Sequence, residues 1–210
     1  MFDAATTTAY VYNSNRLDGI TLGEAQTRAL LVTPGQDPDA MVAGEGGREF
    51  EAEVVLGHRR ALESMAALAR GARPLDEAAI QGLHKDLMGE LLLSAGEYRE
   101  CTLRYKGLLI ASPPEHLAER MTWLANLIRT GLERAPDAHK LSWRIHHEFI
   151  TLHPFIEGNG RVARLLLNAI RLRKGLDLAV VRFDEREPYS RAILEFQQQK
   201  IRRAQEKTAP

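Results

Sequence analysis

The decisive stretch of this chain is HPFIEGNGRVAR, residues 153–164. Before it, apolar side chains recur at a helical spacing from 141 to 152, and a second helical repeat follows it. Pro154 disfavours the α conformation for the residue that precedes it, so the first helix should end at His153. Two glycines flank Asn159 and permit positive φ angles, so a new helix should begin close to that residue. The stretch therefore predicts a helix, a glycine-flanked turn and a second helix.

The chemistry of this turn favours a bound polyphosphate. A glycine-flanked turn that opens a helix presents free N–H groups and the positive end of the helix dipole. Arg161 and Arg164 are three residues apart, so they share a helix face and can clamp more than one phosphate. Glu157 can hold a Mg²⁺ ion that also touches the phosphates, and His153 can face the same cavity as a general base. Taken singly, each residue also fits a cap or a solvated charge; their order along the chain favours the phosphate site.

The stretch resembles the signature of the Fic (Fic/Doc) family, His-x-Phe-x-Asp/Glu-Gly-Asn-Gly-Arg-x-x-Arg. Every fixed position is filled, by His153, Phe155, Glu157, Gly158, Asn159, Gly160, Arg161 and Arg164. The segment GEYR at 96–99, with the extended stretch after it, resembles the hairpin, or flap, that covers the family's active site. The resemblance covers most of residues 10–200. It implies an all-α Fic fold, a helical bundle around the central two-helix motif with a short β-hairpin flap.

The activity that the resemblance implies is adenylyl transfer, or AMPylation. AMP moves from ATP to a protein hydroxyl, and pyrophosphate is released. On this resemblance His153 removes the proton from a Ser, Thr or Tyr of the target protein. Glu157 is expected to hold Mg²⁺ between the α- and β-phosphates. The implied substrates and cofactor are therefore ATP, a target protein and Mg²⁺.

The resemblance also assigns the residues that bind the nucleotide. It implies an anion hole formed by Gly158, Asn159 and Gly160, with Arg161 on the β-phosphate and Arg164 on the γ-phosphate. Phe155 is expected to anchor the loop in the core. Tyr189 lies where the family often carries a tyrosine that begins its last helix, so we predict a contact with adenine; helix packing is the alternative.

The segment SNRLDG at 14–19 is typical of a helix that ends at a C-cap glycine. Thr21 then predicts a new helix, with Glu24 completing a capping box. These two structural roles are by themselves sufficient to explain the residues.

The same segment resembles the family's inhibitory motif, Ser/Thr-x-x-x-Glu-Gly/Asn, in the arrangement where it lies N-terminal to the catalytic core. The resemblance implies that Ser14 contacts the loop near Asn159. Asp18 stands where the family has the Glu that pairs with the second arginine, here Arg164, and blocks the γ-phosphate position. Because aspartate is one methylene shorter, we expect an autoinhibitory contact that is weaker than the Glu form.

The chain of 210 residues is long enough for one good core and a small appended element. Its 28 basic and 28 acidic residues balance, so no global field suggests nucleic acid or a membrane as a partner. The single cysteine, Cys101, excludes an intrachain disulfide and suits a reducing compartment. With neither a signal-peptide pattern nor an apolar run of membrane-spanning length, we expect a cytoplasmic protein. A protein exported into a host by a dedicated secretion system would have the same features.

The layout predicts an inhibitory helical segment at 1–32, a Pro- and Gly-rich connector at 33–47 and a catalytic core at 48–210. One credible β element, at 101–111, is interpreted either as a hairpin or as a loop packed on the helices. Helical periodicity dominates the rest. The predicted helices are Thr21–Leu31, Arg48–Arg70, Asp76–Leu92, Pro114–Leu132, Asp137–Leu152, Asn159–Arg173 and Glu187–Arg203.

The run His146-His147-Glu148 invites a metal-site hypothesis. A zinc-protease helix needs His-Glu-x-x-His, but Thr151 lies four residues after His147, so the motif fails. We interpret His146 as a hydrogen-bonded core histidine. No functional role is assigned to the remaining histidines outside the signature, His58, His84, His116 and His139.

Two rival functions stay open at this point. One is another reaction on the same site, either removal of AMP from a modified protein or transfer of a different phosphate-linked group. The other is a non-catalytic nucleotide-binding regulatory module, against which an intact His153 argues because a pure binder has no use for a base there. Self-modification and a homodimer are also left open, and no sequence motif names the target protein.

Overall fold

The computed structural model describes residues 2–32, 48–71, 73–103 and 112–208. Regular structure within these ranges is helical, and the α-helices, numbered in chain order, are α1 (Ala4–Leu17), α2 (Glu24–Val32), α3 (Arg48–Ala69), α4 (Glu77–Met88), α5 (Leu117–Arg134), α6 (Ala138–Leu152), α7 (Asn159–Arg173) and α8 (Arg186–Thr208). Short 3-10 turns precede α5 and α8, at Pro114–His116 and Phe183–Glu185. The predicted all-α fold is confirmed. Most of the predicted hairpin at 101–111 lies outside the described residues. None of the described helices combines the length and the apolar character needed to cross a membrane.

Helix α7 lies at the centre of the bundle. Its apolar side chains point in all directions, and every residue from Asn159 to Ile170 except Gly160 is buried. Helices α6 and α3 pack along it, α4 contacts it, and α8 and α5 pack on α6. Between Asn159 and Ile170 the half-buried Gly160 is therefore the open position, so this stretch of the core opens at the glycine-flanked turn.

The N-terminal segment is part of the same hydrophobic core. Helices α1 and α2 pack against each other and against α3, and Tyr10, Val11, Leu22 and Leu30 are buried there. Helix α1 ends as predicted, with Gly19 at φ +92° just after the C-cap residue Asp18. This end of α1 is directed at the start of α7.

The predicted capping box at Thr21 is wrong. Helix α2 begins at Glu24, and the Gly23 carbonyl accepts the first helical hydrogen bond, from Thr27. The Thr21 amide and hydroxyl donate instead to the Glu51 carboxylate, at 2.7 and 3.0 Å. Thr21 therefore bonds to a side chain 30 residues away instead of capping the adjacent helix.

Candidate functional site

The loop that leads into α7 begins with an unusual backbone conformation. His153, the C-cap of α6, has φ 48° and ψ 60°, and among the described residues it is the only non-glycine with positive φ. Arg99 holds this conformation: its Nε donates to the His153 carbonyl at 2.8 Å, and its amide donates to the Pro154 carbonyl at 2.9 Å. The same guanidinium donates to the carbonyls of Cys101 and Ser112. Arg99 therefore fixes the loop and the base of the predicted flap together.

The middle of the loop is anchored by a pair of stacked rings. Phe155 is fully buried, as predicted, and its ring lies 3.8 Å from that of His84 at an angle of 6°. His84 Nδ1 accepts from the Gly96 amide at 2.7 Å, so Nε2 carries the proton and donates to the Glu157 carbonyl at 3.0 Å. Burial lowers the pKa of His84 to about 4, which keeps the ring neutral. His84, to which the sequence assigned no role, is thus a structural support of the loop.

The Asn159 side chain closes the loop on itself. Its Oδ1 accepts from the Phe155 amide at 3.0 Å, and its Nδ2 donates to the Phe155 carbonyl at 2.8 Å. Gly158, at φ 78°, is the N-cap of α7, and a Cβ there would lie 3.1 Å from Met88 Cγ. Because the amide side chain is committed to the loop, the groups left for an anion are the main-chain N–H groups of the first turn.

Arg161 and Arg164 emerge from this turn, and both meet the end of α1. The Asp18 carboxylate bridges them: Oδ2 lies 3.1 Å from Arg161 Nε, and Oδ1 lies 2.9 Å from Arg164 Nη2. A Cβ on Gly160 would lie only 2.7 Å from Asp18 Oδ1, so the glycine leaves the room that the carboxylate occupies. The predicted Asp18–Arg164 pair is therefore present, and the contact with Arg161 was not foreseen.

Ser14 reinforces the same contact. Its hydroxyl accepts from Arg164 Nε at 2.7 Å, and its carbonyl accepts from Arg164 Nη2 at 2.9 Å. The expected contact with the loop near Asn159 is not among the hydrogen bonds of the described residues. Although burial acts to lower the pKa of Arg164, the Asp18 charge outweighs it and the net shift is upward.

Two further contacts hold the end of α1. Asn15 Oδ1 lies 2.8 Å from Nδ1 of His58, a fully buried residue of α3. Burial, and then the positive charges of Arg161 and Arg164, hold the pKa of His58 well below its usual value, so the ring is neutral. On the other side, Asn13 Oδ1 accepts from the Phe183 amide at 2.9 Å. Sequence reasoning had missed His58, Asn15 and Asn13.

Next to the arginines lies a cavity of about 720 Å³. Seven of the sequence-predicted site residues line it: Asp18, His153, Glu157, Asn159, Gly160, Arg164 and Tyr189. The predicted Ser14, Gly158 and Arg161 are not among the lining residues, although Ser14 contacts Arg164 and Arg161 contacts Asp18. Burial lowers the pKa of His153, which keeps the imidazole in the neutral form that a general base requires. The Glu157 side chain is 57% exposed, and its Oε1 lies 3.6 Å from Arg161 Nη2.

Tyr189 contributes its hydroxyl to the site. The hydroxyl oxygen lies 3.3 Å from Arg164 Nη1 and 2.8 Å from His146 Nε2. His146 is fully buried, so its interpretation as a hydrogen-bonded core histidine is confirmed.

The comparisons with known proteins agree with this geometry. Residues 74–170 match the Fic/DOC family. The chain is 30% identical to the protein adenylyltransferase Fic of Nematostella vectensis over 185 residues, which cover 86% of this chain and 41% of that relative. It is 26% identical to protein adenylyltransferase fic-1 of Caenorhabditis elegans, over 86% of this chain and 34% of the relative. The chain thus spans less than half of the length of these two curated relatives.

Solved structures show the same architecture. A Fic domain containing signaling protein from Bacteroides thetaiotaomicron aligns with a TM-score of 0.75 at 25% identity, over 90% of this chain and 71% of that one. A Fic family protein from Desulfovibrio desulfuricans G20 aligns with a TM-score of 0.73 at 25% identity, over 92% of this chain and 57% of that one.

Proposed function

This chain belongs to the Fic/DOC family, and on that premise we propose that it transfers AMP from ATP to a hydroxyl side chain of a target protein. The observation that carries the proposal is the single cavity onto which His153, Glu157 and Arg164 open, at the N-terminal end of α7. Relatives named as adenylyltransferases support the choice of AMP as the transferred group. Transfer at phosphorus is mostly a matter of positioning and charge stabilisation, which this arrangement supplies.

His153 has the properties of the base in this reaction. Its imidazole lines the cavity and is neutral because burial lowers its pKa. It takes the proton from the target's Ser, Thr or Tyr hydroxyl as that oxygen forms a bond to the α-phosphorus. The bond from the α-phosphorus to the oxygen that bridges it to the β-phosphate breaks, and pyrophosphate leaves with the electron pair.

The charge of the polyphosphate is met by the first turn of α7 and the arginine pair. The main-chain N–H groups of that turn and the helix dipole favour an anion beside Gly160, and Arg161 and Arg164 are placed for the β- and γ-phosphates. Glu157 would hold Mg²⁺, which would neutralise charge between the α- and β-phosphates. Among the described residues no group of three or more His, Cys, Asp or Glu could hold a metal, and a single carboxylate with phosphate oxygens and water is a common Mg²⁺ environment.

Asp18 is the autoinhibitory residue in this proposal. Its carboxylate occupies both guanidinium groups that the phosphates would bind. ATP must therefore displace the end of α1 before its β- and γ-phosphates reach the arginines. It stays a prediction that Asp18 inhibits less strongly than a glutamate at this position would.

The test compares the protein labelling obtained with ATP labelled at the α-phosphate and with ATP labelled at the γ-phosphate. The chain and its Asp18→Gly variant are incubated with a cell lysate and ATP labelled at the α- or the γ-phosphate. We expect protein labelling from the α-phosphate alone, an increase with Asp18→Gly, and its loss when His153→Ala is added. His139→Ala in the same background is the matched control, because His139 is exposed and is not among the residues that line the cavity.

The other outcomes each point to a rival. Label from the γ-phosphate would indicate a kinase. Release of AMP from already labelled proteins, faster with the unsubstituted chain than with His153→Ala, would indicate the removal reaction. ATP binding with no labelling from either phosphate would favour the regulatory module.

A further inference from the structure

We propose that Tyr189 and His146 are positioning residues that hold Arg164 toward the terminal phosphate, and thereby make the site select a nucleoside triphosphate over a monophosphate. This inference rests on the proposed function, since it assigns Arg164 to the γ-phosphate. It departs from the expectation that Tyr189 serves the adenine ring, because the contacts of its hydroxyl lead to the phosphate end of the cavity.

We assign the direction of the hydrogen bonds from the donors and acceptors that the three groups offer. A guanidinium only donates, so the Tyr189 oxygen accepts from Arg164 Nη1. His146 Nε2, at 2.8 Å, is the other hydrogen-bond partner of the hydroxyl among the described residues, so we assign the hydroxyl proton to this bond. In this assignment Nε2 is the acceptor and the ring proton lies on Nδ1, which is buried without a hydrogen-bond partner among those residues. Burial raises the pKa of Tyr189 and holds that of His146 well below its usual value, so both groups are in the neutral forms that this direction requires.

The chain of bonds joins three helices. His146 lies on α6, Tyr189 on α8 and Arg164 on α7, so the hydroxyl ties the arginine to two elements outside its own helix. The Trp143 ring packs edge-on against both partners, 5.3 Å from the His146 ring and 6.5 Å from the Tyr189 ring. A tyrosine hydroxyl enclosed in this way has little freedom to turn to another acceptor.

The hydrogen bond from Arg164 to Tyr189 becomes important once Asp18 is displaced from the two arginines. Ser14 on α1 and Asp18, the C-cap residue of α1, hold the Nε and Nη2 side of the Arg164 guanidinium, whereas Tyr189 holds Nη1. Displacement of α1 removes the first set of contacts and leaves the second. Arg164 then stays oriented for the γ-phosphate, and its side-chain entropy does not have to be lost again on ATP binding.

The experiment measures nucleotide affinity, which requires neither a target protein nor turnover. Dissociation constants for ATP and AMP are determined by calorimetry with Mg²⁺ present, in the Asp18→Gly background. Tyr189→Phe keeps the ring and deletes the hydroxyl, and it should weaken ATP about tenfold while AMP binding stays unchanged. His146→Leu removes the acceptor and should give the same pattern, with no further loss in the double variant.

Tyr12→Phe is the matched control, because it deletes a half-buried tyrosine hydroxyl that is not among the described partners of Arg164. If His146→Leu does not fold, Tyr189→Phe decides alone. Equal weakening of ATP and AMP, or no change in either, would overturn the inference. If the expected affinity pattern is found but no protein is labelled, the inference about Tyr189 and His146 stands and the proposed AMP transfer is contradicted. If the chain does not bind ATP at all, both proposals are contradicted.

Discussion

The loop at 153–160 and the end of α1 meet at the same arginine pair, but they are held in different ways. Arg99, His84 and Asn159 fix the loop through main-chain carbonyls, main-chain amides and a buried ring stack. Asp18 and Ser14 fix the end of α1 through guanidinium groups that a polyphosphate would also bind. The loop is therefore held by contacts for which a phosphate does not compete, whereas in the proposed function ATP competes for the contacts that hold the end of α1.

The two regions also differ in how well their buried polar atoms are satisfied. Both ring nitrogens of His84 are hydrogen-bonded. At the interface with α1, Asn15 Nδ2, His58 Nε2 and Arg161 Nη1 are buried without a hydrogen-bond partner in the described part of the chain. Each such atom costs about 1–3 kcal/mol, so the contact between α1 and the core is less favourable than its ion pairs suggest.

The largest effect is expected from His84→Ala, which attacks the loop. The substitution removes the stack on Phe155 and leaves the Gly96 amide and the Glu157 carbonyl without their partner. The free energy of unfolding should fall by about 3 kcal/mol, as measured by urea denaturation. Labelling in the Asp18→Gly background should fall about 100-fold, because the base and the anion site lose their relative placement.

His116→Ala is the control for this loss, since His116 is exposed; its effect should stay within about 0.5 kcal/mol. Addition of ATP should not restore the stability of His84→Ala. If ATP fully restored the stability of His84→Ala, the loop and the end of α1 would not differ in their dependence on ATP.

Asp18→Asn, unlike His84→Ala, should regain its stability when ATP is added. Two buried guanidinium groups lose their counter-charge, so the free energy of unfolding should fall by about 2–4 kcal/mol without nucleotide. ATP should restore this loss, because its phosphates supply the missing charge. Urea denaturation with and without ATP measures both effects.

The matched control is Asp184→Asn, which breaks the exposed pair with Arg182 and should leave the free energy of unfolding unchanged within error. If Asp18→Asn is as stable as the unsubstituted chain, the ion pairs do not hold the end of α1.

Asn15→Ala should have a smaller effect on activity, which is followed through labelling. It deletes the hydrogen bond to His58 and loosens the helix end that carries Asp18, so labelling by the otherwise unsubstituted chain should rise about fivefold. The rise should be absent in the Asp18→Gly background, where the carboxylate that bridges the two arginines is already missing. Asn126→Ala, on the exposed face of α5, is the control. A rise of equal size in both backgrounds would show that Asn15 acts on something other than Asp18.

The smallest effect concerns pH. Burial lowers the pKa of His153 from its ordinary value of 6.5, and the base must be unprotonated to act. The labelling rate of Asp18→Gly at saturating ATP should therefore hold as the pH falls to 6.5, and it should decline only below that value. Circular dichroism at each pH checks that the chain is still folded. A decline centred above 6.5 would contradict the burial of the imidazole.

Local sequence predicted the loop well because its determinants lie within it. The helix bounds Asn159–Arg173, the burial of Phe155 and the gathering of His153, Glu157 and Arg164 all follow from residues at short spacing. A proline, two glycines and two flanking apolar repeats are sufficient to specify that geometry.

The supports of the site could not be predicted in the same way. His84 bonds to a carbonyl 73 residues away, and His58 bonds to an amide 43 residues away. Along the chain, either histidine looks like an ordinary member of a helix face. The bridge from Asp18 to Arg161 depends on the missing Cβ of Gly160, a space that is defined only when α1 is packed on α7. Long-range packing therefore decides which polar residues hold the site together.

The left-handed backbone at His153 places conformational strain at one residue of the proposed active site. A non-glycine residue in that region costs about 1 kcal/mol, and here the cost is carried by the residue that we propose as the base. His153→Gly would relieve this strain, but it would also remove a half-buried imidazole and give the unfolded chain more freedom. Relief of strain and loss of packing therefore oppose each other at this position.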